Sequence, residues 1–465
     1  MEVFGILLSL FLLMFMAYRG FSVILFAPIF ALLAAASQGF SVMPSYTELF
    51  MAKAVVYVKS FFPIFMLGAV FGKLMEGTGF AKAIAYKILQ IVGKDRAILA
   101  VVIAGGVLAY GGVSLFVIVF VIYPFAAALF KEAGVPKRLI PGIIVLGGCT
   151  YTMDALPGTP QIQNIIPANF FGTNVYAAPL LGIIGSIMIF AGGMYYFQWR
   201  LKKAHAAGEF YGEGHILEPD EADTSALPDW RLAMLPLLAV LSINFIMTNV
   251  YQWNPNILAP FLDMKLPLVA PAVKNVLAIW SLIIAVVIGI ILAIGLGYRN
   301  LPKGGLATAL NAGAIGSLLA IMNTASEVGY GNVIASLPGF KSIADALLGI
   351  HLGGTPLMSE AVTITTLAGI TGSASGGMSI ALDLMAKDWL TWANAIGMSP
   401  EVLHRVAAMA SGGMDSMPHN GAVITIIAVC GLTHKQSYGD IAAIVGIKTV
   451  AAFAVIFIHL VTGII

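Results

Sequence analysis

The chain has 465 residues, of which 59% are hydrophobic and only 10% are charged, and its 24 Lys and Arg nearly balance its 22 Asp and Glu. Soluble globular proteins carry about 25% charged residues, and nucleic-acid-binding proteins carry an excess of positive charge. The composition therefore excludes a soluble enzyme, a disordered chain, a secreted disulfide scaffold and a nucleic-acid-binding protein. It predicts an all-α, polytopic membrane protein.

Apolar runs that are candidate membrane spans follow one another along the chain. They occupy residues 3–18, 21–37, 55–75, 139–171, 176–198, 232–250, 273–297, 305–326, 401–432 and 440–463. Two further apolar stretches, 97–130 and 355–397, are each interrupted in the middle by glycine and serine. The polar, charged segment 199–231 predicts an aqueous linker between a first half, 1–198, and a second half, 232–465.

The two halves carry the same short motifs in the same order. The motif MDALP at 153–157 matches MDSMP at 414–418, and a Gly-Gly pair stands just upstream of each. Further upstream, a Gly-Gly-x-Ser motif occurs at 111–114 and again at 376–379. Matched motifs in one order predict an internal repeat.

Lys and Arg are distributed differently over matched segments. Residues 73–96 carry five of them, whereas 323–350 carry only Lys341. If the linker is cytoplasmic, sixteen Lys and Arg lie on the cytoplasmic side and seven, including Arg405, on the other. Because cytoplasmic loops are enriched in Lys and Arg, this distribution predicts two inverted repeats with both termini in the periplasm.

Each half is predicted to contain about five spans and one re-entrant hairpin. The hairpins occupy 97–130 and 355–397, and their tips are expected at 110–114 and 371–379, which contain the Gly-Gly-x-Ser motifs. Glycine allows a tight turn, and serine caps the returning helix. The alternative is that these small residues serve close packing between uninterrupted helices.

A broken helix is predicted in each half, at 139–171 and at 401–432, because prolines interrupt both segments. The second half-helices are expected to begin near 159–161 and 419–421. Free N–H groups at a helix start carry the positive end of the helix dipole. With the two hairpin returns, four helix N-termini would meet near the membrane midplane and bind an anion, such as a carboxylate, without a buried lysine.

Residues at the four interruptions are the candidate substrate-binding groups. Glycines would form the tips that clamp the carboxylate, and hydroxyl and amide side chains could hydrogen-bond hydroxyl groups of the same substrate. The candidates are Gly111, Gly112, Ser114, Thr152, Thr159, Gln161, Asn164, Ser373, Ser375, Gly376, Gly377, Ser379, His419 and Asn420.

Ionisable groups inside a membrane are costly and are therefore functional candidates. The candidate proton-coupling residues are Asp154, Glu360, Asp415 and His419. Each has a structural alternative. The two aspartates could cap the broken helices, Glu360 could lie at the aqueous rim, and His419 could be a fixed hydrogen-bond donor.

Four other ionisable residues in apolar surroundings are expected to have no coupling role. Glu76 and Glu327 stand beside matched glycines and are predicted to be solvated helix caps. Lys448 and His459 lie in the last span and are predicted to extend towards the membrane surface.

Other kinds of chemistry find little support. The chain contains no G-x-x-x-x-G-K-[ST] motif for ATP and no H-E-x-x-H or C-x-x-C motif for a metal. We therefore expect no cofactor and no metal. A proton gradient is the expected driving force, with a sodium gradient as the alternative.

Three segments resemble the gluconate permease (GntP) family of the ion-transporter superfamily. They are GKLMEGTG from residue 72, YGGVSLFVIVFVIYPFAAALF from 110 and MDALPGTPQIQNIIP from 153. The resemblance covers essentially the whole chain. It implies a bacterial inner-membrane symporter that takes up small hydroxy-monocarboxylates with protons, has an elevator-type motion, contacts membrane lipid and commonly forms a homodimer.

Within this family, MDALPGTPQIQ is most similar to the 3-hydroxybutyrate permease branch. Gluconate and D-serine carriers have a stretch richer in Pro and His at 154–161 and an acidic residue near 113–116, and this chain has neither. A short hydroxy acid such as 3-hydroxybutyrate is thus the first expected substrate, and gluconate or another sugar acid is the second. Alternatives from other classes are an organic-anion channel and an intramembrane hydrolase.

Overall fold

The computed structural model describes residues 2–19, 21–215, 218–219, 224, 226–266, 268, 272–301, 304–418 and 420–465. These residues form helices joined by short connections, and their only β-type pairing is a single bridge between Leu352 and Thr355. The α-helices, in chain order, are α1 (Glu2–Tyr18), α2 (Val23–Ser37), α3 (Val42–Pro44), α4 (Met51–Gly77), α5 (Phe80–Val92), α6 (Ala97–Tyr110), α7 (Leu115–Ala133), α8 (Ile140–Gly148), α9 (Ile162–Phe171), α10 (Pro179–Ala206), α11 (Trp230–Asn249), α12 (Ala259–Asp263), α13 (Val273–Gly297), α14 (Gly305–Ala335), α15 (Pro338–Leu348), α16 (Leu357–Thr371), α17 (Ala374–Ala395), α18 (Pro400–Ser411), α19 (Gly421–Val429) and α20 (His434–Thr462). Two π-helical segments, Ser45–Phe50 and Tyr151–Ala155, join neighbouring helices.

The all-helical membrane character predicted from composition is confirmed. Seven helical segments of the described chain are long and apolar enough to cross a membrane: Val42–Gly77, Leu115–Ala133, Pro179–Ala206, Trp230–Asn249, Val273–Asn300, Gly305–Ala335 and His434–Thr462. These helices expose large apolar side chains on their outer surfaces, such as Leu235, Leu238 and Phe245 of α11. Such a surface suits contact with lipid, where a helix satisfies its own backbone hydrogen bonds.

The helix before the linker is longer than the sequence predicts. α10 continues to Ala206, about two turns beyond residue 199, because Lys and Arg form helices readily and are favoured near a helix C-terminus. After it, Glu209 pairs with Arg138 at 2.6 Å, and Arg138 also pairs with Asp440 at 3.2 Å. These ion pairs hold the start of the linker against the beginnings of α8 and α20. Residues 216–217, 220–223 and 225 of the linker lie outside the described residues.

Both predicted hairpin regions contain two helices joined by a tight turn. α6 and α7 are separated by residues 111–114, and α16 and α17 by residues 372–373. Gly112 has a φ of 86° and Gly372 a φ of 64°. Residues other than glycine rarely adopt this left-handed conformation, so glycine is needed at both turns.

The position of the second turn corrects one expectation. Gly376, Gly377 and Ser379 lie within α17 and do not form the tip. The helix starts earlier because the Ser373 side chain accepts a hydrogen bond from the Gly376 N–H at 3.0 Å and so caps the first turn. Ser114 occupies the corresponding N-cap position of α7, but its side chain makes no capping hydrogen bond.

Each of the two proline-containing segments consists of two short α-helices with backbone between them that is not α-helical. The first half-helix α8 ends at Gly148, and the second, α9, begins at Ile162 with Gln161 as its N-cap residue. In the second half, α18 ends at Ser411, and α19 begins after the N-cap residue Asn420. The non-helical backbone between these pieces lies inside the protein, where neighbouring groups can satisfy it.

Helices from the two halves pack against each other reciprocally. α4 packs along α14, and α10 packs along α20. α9 of the first broken helix contacts α17 of the second hairpin, and α19 of the second broken helix contacts α7 of the first hairpin. The four helix interruptions are therefore brought into one region of the molecule.

Candidate functional site

A cavity of about 600 Å³ lies where the four interruptions meet. The first turns of four helices contribute to its wall, with Leu115 and Phe116 from α7, Gln163 from α9, Ala374 and Ser375 from α17, and Gly421 and Ala422 from α19. The middle of α14 contributes Asn323, Thr324 and Glu327. Backbone N–H groups in the first turn of a helix have no partner within that helix, so a cavity built from four such turns is suited to an anion.

Asn420 holds the two second-half interruptions together. Its Oδ1 accepts hydrogen bonds from the N–H groups of Ala422 at 2.7 Å and Val423 at 3.0 Å, which caps α19. Its Nδ2 donates to the carbonyl oxygens of Gly372 at 2.8 Å and Asp415 at 2.9 Å. One side chain thus fixes the start of α19 beside the turn between α16 and α17.

The first half contains an equivalent connection. Gln161, the N-cap residue of α9, donates from Nε2 to the carbonyl oxygen of Ala109 near the end of α6, at 2.7 Å. The Tyr110 hydroxyl donates to the carbonyl oxygen of Pro157 at 2.9 Å. The first hairpin and the first broken helix are therefore also joined by side-chain hydrogen bonds to backbone carbonyls.

A buried lysine lies directly behind the cavity wall. Lys448 Nζ is 3.0 Å from Asp154 Oδ2 and 3.4 Å from Asp415 Oδ1, and it donates to the Cys149 carbonyl oxygen at 2.9 Å. The side chains of Lys448 and Asp154 are only 1% and 2% exposed. The expectation that Lys448 extends to the membrane surface is wrong, since buried carboxylates retain it as a counter-ion. The predicted anion site was expected to contain no buried lysine, but Lys448 lies behind its wall.

Arg405 is a second buried cation, so its assignment to the periplasmic surface is wrong. Its guanidinium donates to the carbonyl oxygens of Ala177 at 2.7 Å and Ala155 at 3.0 Å, and to Asn164 Oδ1 at 3.0 Å. A guanidinium has five donors and can satisfy several carbonyls that a helix break leaves free. Asn164 also donates to the Thr159 carbonyl oxygen at 3.1 Å. These hydrogen bonds support the first break from inside the protein.

Two glutamates are buried without a cation. Glu327 is 3% exposed and its Oε2 has no hydrogen-bond partner among the described residues. The expectation that Glu327 is a solvated cap is wrong, because it lies well inside the long helix α14 and not at an end of it. Glu360 is fully buried in the first turn of α16, and neither of its carboxylate oxygens has a partner in the described structure. Glu360 is thus not at an aqueous rim.

The predicted site residues divide into three groups. Ser373, Ser375, Asn420 and Asp415 line the 600 Å³ cavity. Gly111 and Thr152 line a smaller cavity of about 230 Å³, and Ser379 lines another of about 340 Å³. The residues that line none of these three cavities are Gly112, Ser114, Asp154, Thr159, Gln161, Asn164, Glu360, Gly376 and Gly377. His419 lies outside the described residues.

Lys448 and Glu327 are the site groups that sequence reasoning missed. The signal for both was a charged residue within an apolar span, since such residues usually face the protein interior. Within the described part of the chain, no group of three or more His, Cys, Asp or Glu side chains is placed to hold a metal ion.

Comparison with known proteins gives a consistent picture. A model of the GntP permease family matches residues 1–461. An uncharacterized transporter of Bacillus subtilis (strain 168), YxjC, is 51% identical over 477 residues, which cover all of both chains. A gluconate permease of Bacillus licheniformis is 30% identical over 200 residues, which cover 41% of this chain and 42% of that protein.

Two solved transporters share the fold. The YdaH transporter of Alcanivorax borkumensis superimposes with a TM-score of 0.57 at 15% identity, covering 94% of this chain and 96% of that one. MtrF of Neisseria gonorrhoeae, described within a class of antimetabolite efflux pumps, gives a TM-score of 0.54 at 14% identity, with 93% of each chain covered. At these identities the likeness concerns the fold alone.

Proposed function

The chain belongs to the GntP permease family, and on that premise we propose that it takes up a small hydroxy-monocarboxylate together with protons across the bacterial inner membrane. Its family and its transporter fold make it a multi-pass membrane transporter and not an enzyme. The substrate class and the proton coupling extend this assignment, and each has support in the geometry of the cavity.

The convergence of four helix starts on one cavity is the observation that carries the proposal. The N-terminal turns of α7, α9, α17 and α19 all contribute to the wall. Behind it, Lys448 pairs with Asp154 and Asp415 and so offsets part of their negative charge. Helix N-termini bind carboxylates and phosphates through free N–H groups and the helix dipole. No side chain caps the first turn of α7 or α9, whereas Ser373 and Asn420 cap α17 and α19, which contribute mainly through their dipoles. Helix starts in the wall therefore support a ligand that carries a carboxylate.

The side chains of the wall favour a short hydroxy acid. Ser373, Ser375 and Asn420 offer hydroxyl and amide groups, whereas Leu115 and Phe116 offer an apolar surface. Groups of both kinds match 3-hydroxybutyrate, which has a carboxylate, one hydroxyl and a methyl group. Gluconate is the second candidate because a relative that is 30% identical over 200 residues is described as a gluconate permease.

The reciprocal packing of the halves supports an architecture of two inverted repeats. α9 contacts the second hairpin and α19 contacts the first, as a twofold relation between the halves would require. In this proposal the hairpins and broken helices form a transport domain that moves in an elevator-type motion, and the remaining spans form a scaffold and a homodimer interface. The linker then lies in the cytoplasm and both termini lie in the periplasm.

Coupling to protons requires a buried group that can gain and lose one. Asp154, Asp415, Glu360 and His419 are the candidates from the sequence. Asp154 and Asp415 share Lys448, and Asp415 also lines the cavity, so a change at either aspartate alters the charge next to the substrate.

Proteoliposomes provide the test of the proposed function. With an inward proton gradient, the purified protein should accumulate labelled 3-hydroxybutyrate above the external concentration, and an uncoupler should abolish the accumulation. Unchanged accumulation after the gradient collapses would refute proton coupling. Uptake that never exceeds equilibrium would favour an anion channel.

The substrate itself is identified by thermal shift, because a bound ligand raises stability by mass action. A panel of monocarboxylates should give the largest shift for 3-hydroxybutyrate, followed by gluconate. Ser375→Ala should reduce this shift, whereas Ser336→Ala, which changes an exposed serine at the end of α14, should not. Equal shifts for both variants would remove Ser375 from the binding site.

A further inference from the structure

We propose that Glu327 carries the coupling proton, an inference that rests on the proposed proton-coupled uptake. Glu327 lies between two cavities. Glu327 lines the 600 Å³ cavity, and the next residue, Val328, lines the cavity of about 340 Å³. Tyr57 of α4 and Ser379 of α17 also line the smaller cavity.

The wall between the two cavities is built from α14 and the start of α17. Ser373 and Ser375 face the larger cavity, and Ser379, one turn further along the same helix, faces the smaller one. The Thr324 hydroxyl lies 3.4 Å from the Ser375 hydroxyl, which joins the two helices at this point. A proton held by Glu327 can therefore reach either cavity through a short movement of these elements.

Unsatisfied polar atoms cluster around the glutamate. Glu327 Oε2, the Tyr57 hydroxyl and the Ser379 hydroxyl are all buried and have no hydrogen-bond partner among the residues that the structure describes. Tyr57 interacts electrostatically with Glu327. Buried polar groups are normally paired, and a buried carboxylate without a cation is stable only when it holds a proton or another small cation.

The other buried carboxylates lack this combination of features. Asp154 and Asp415 are both paired with Lys448, so a positive charge already neutralises them in part. Glu360 has no cation within the described structure, but it lines neither of the two cavities. Glu327 is the buried carboxylate of the described chain that both lacks a cation and faces the substrate cavity.

The glutamate also lies against the second hairpin. A methyl group at Gly376 would collide with Glu327 Oε2, so glycine permits the approach. The Gly376 N–H is the group that Ser373 caps, and Ser373 lines the substrate cavity. Protonation of Glu327 therefore acts on the backbone that forms one side of the substrate site.

The remaining ionisable groups near Glu327 lie on three elements packed around it. Tyr57 faces it from α4, and Asp415 lines the same cavity from the second break. Lys53 and Asp383 line the smaller cavity and pair with each other at 2.7 Å. Because the opposite charges of Lys53 and Asp383 cancel, this pair supplies no net positive charge to stabilise an ionised Glu327.

Replacement of Glu327 by glutamine tests the proposal, because glutamine has the shape of the protonated acid but cannot release a proton. In proteoliposomes, Glu327→Gln should lose accumulation of labelled 3-hydroxybutyrate, or of gluconate if that is the substrate, under an inward proton gradient. It should keep counterflow exchange of the same substrate, which needs binding and movement but no net proton transfer. Glu76→Gln is the matched control, since Glu76 pairs with Lys73 at the protein surface.

The outcomes separate the two proposals. If the unaltered protein accumulates neither substrate, the proposed function fails. If it does accumulate substrate and Glu327→Gln accumulates it equally, the assignment of the proton to Glu327 fails. Loss of both accumulation and exchange, in a variant with an unchanged gel-filtration profile and melting temperature, would place Glu327 in translocation itself and overturn the coupling role.

Two further results bear on the identity of the group and of the ion. Glu327→Asp keeps a carboxylate and should retain part of the accumulation. Accumulation by the unaltered protein that follows a sodium gradient and ignores the proton gradient would overturn the proton assignment. Loss of accumulation in Glu360→Gln, with full accumulation in Glu327→Gln, would transfer the role to Glu360.

Discussion

Replacing Lys448 by methionine should destabilise the protein more than replacing either aspartate with which it pairs. Its ammonium lies 3.0 Å from Asp154 and 3.4 Å from Asp415. At an effective dielectric constant of about 20, these distances correspond to attractions of about 5 kcal/mol each. Methionine fills a similar volume but leaves two buried carboxylates without a counter-ion, and breaking a buried pair in this way costs about 3–5 kcal/mol.

Single changes at the aspartates should cost less. In Asp154→Asn, the lysine keeps its pairing with Asp415, and the amide oxygen still accepts a hydrogen bond from the lysine. The triple variant Lys448→Met, Asp154→Asn, Asp415→Asn removes all three charges at once and should recover much of the stability lost in Lys448→Met, since no isolated charge remains buried.

The assay is thermal unfolding of the detergent-solubilised protein, followed by intrinsic fluorescence and gel filtration. Lys435→Met is the matched control, because Lys435 lies on the same helix, α20, and is exposed. An unfolding temperature for Lys448→Met equal to that of Lys435→Met would refute the view that Lys448 neutralises the two carboxylates. A triple variant less stable than Lys448→Met would refute the charge argument as well.

Three other changes have defined outcomes. Gly376→Ala should displace the neighbouring carboxylate and reduce proton-driven accumulation, while Gly439→Ala, where the added methyl meets nothing within 4 Å, should leave transport unchanged. Asn420→Ala should cost about 0.5–2 kcal/mol of stability, because it removes the cap of α19, and should weaken substrate binding in a thermal-shift titration. Arg138 lowers the pKa of Glu209. The ion pair between them, which holds the start of the linker, is therefore fully formed above the ordinary pKa of a glutamate and is lost as the pH falls through the lowered pKa of Glu209. Peptic cleavage of the linker should therefore accelerate only at pH values below that ordinary pKa. In Arg138→Ala, which lacks the ion pair at every pH, cleavage should already be faster above that pKa and should show no such step.

Features that depend on neighbouring residues could be predicted from the sequence. Proline at 157 and 418 removes a backbone donor, and the helices α9 and α19 begin where those prolines predict. Glycine at 112 allows the first hairpin turn. The second turn lies within the predicted tip 371–379, but the returning helix α17 begins before Gly376 and not after Ser379, because the Ser373 side chain caps it.

Features that depend on distant residues could not be predicted. The burial of Lys448 depends on Asp154 in the other half of the chain, and the burial of Arg405 depends on carbonyl oxygens near Ala155 and Ala177. A lysine or arginine in an apolar span either extends towards the membrane surface or faces the protein interior, and its residue type does not identify the partner that would hold it inside. Only the packing of α20 and α18 against the first half decides that they stay inside.

The pairing of Lys448 with Asp154 also has a consequence for the biogenesis of the protein. At about 5–20 residues per second, a ribosome needs about 15–60 s to make the roughly 300 residues that separate the two. During this interval the first half already contains its aspartate, and the lysine that neutralises it has not been synthesised. Until α20 joins the first half, Asp154 has no lysine to neutralise it and must be protonated or hydrated, and only then can the ion pair between the two halves form.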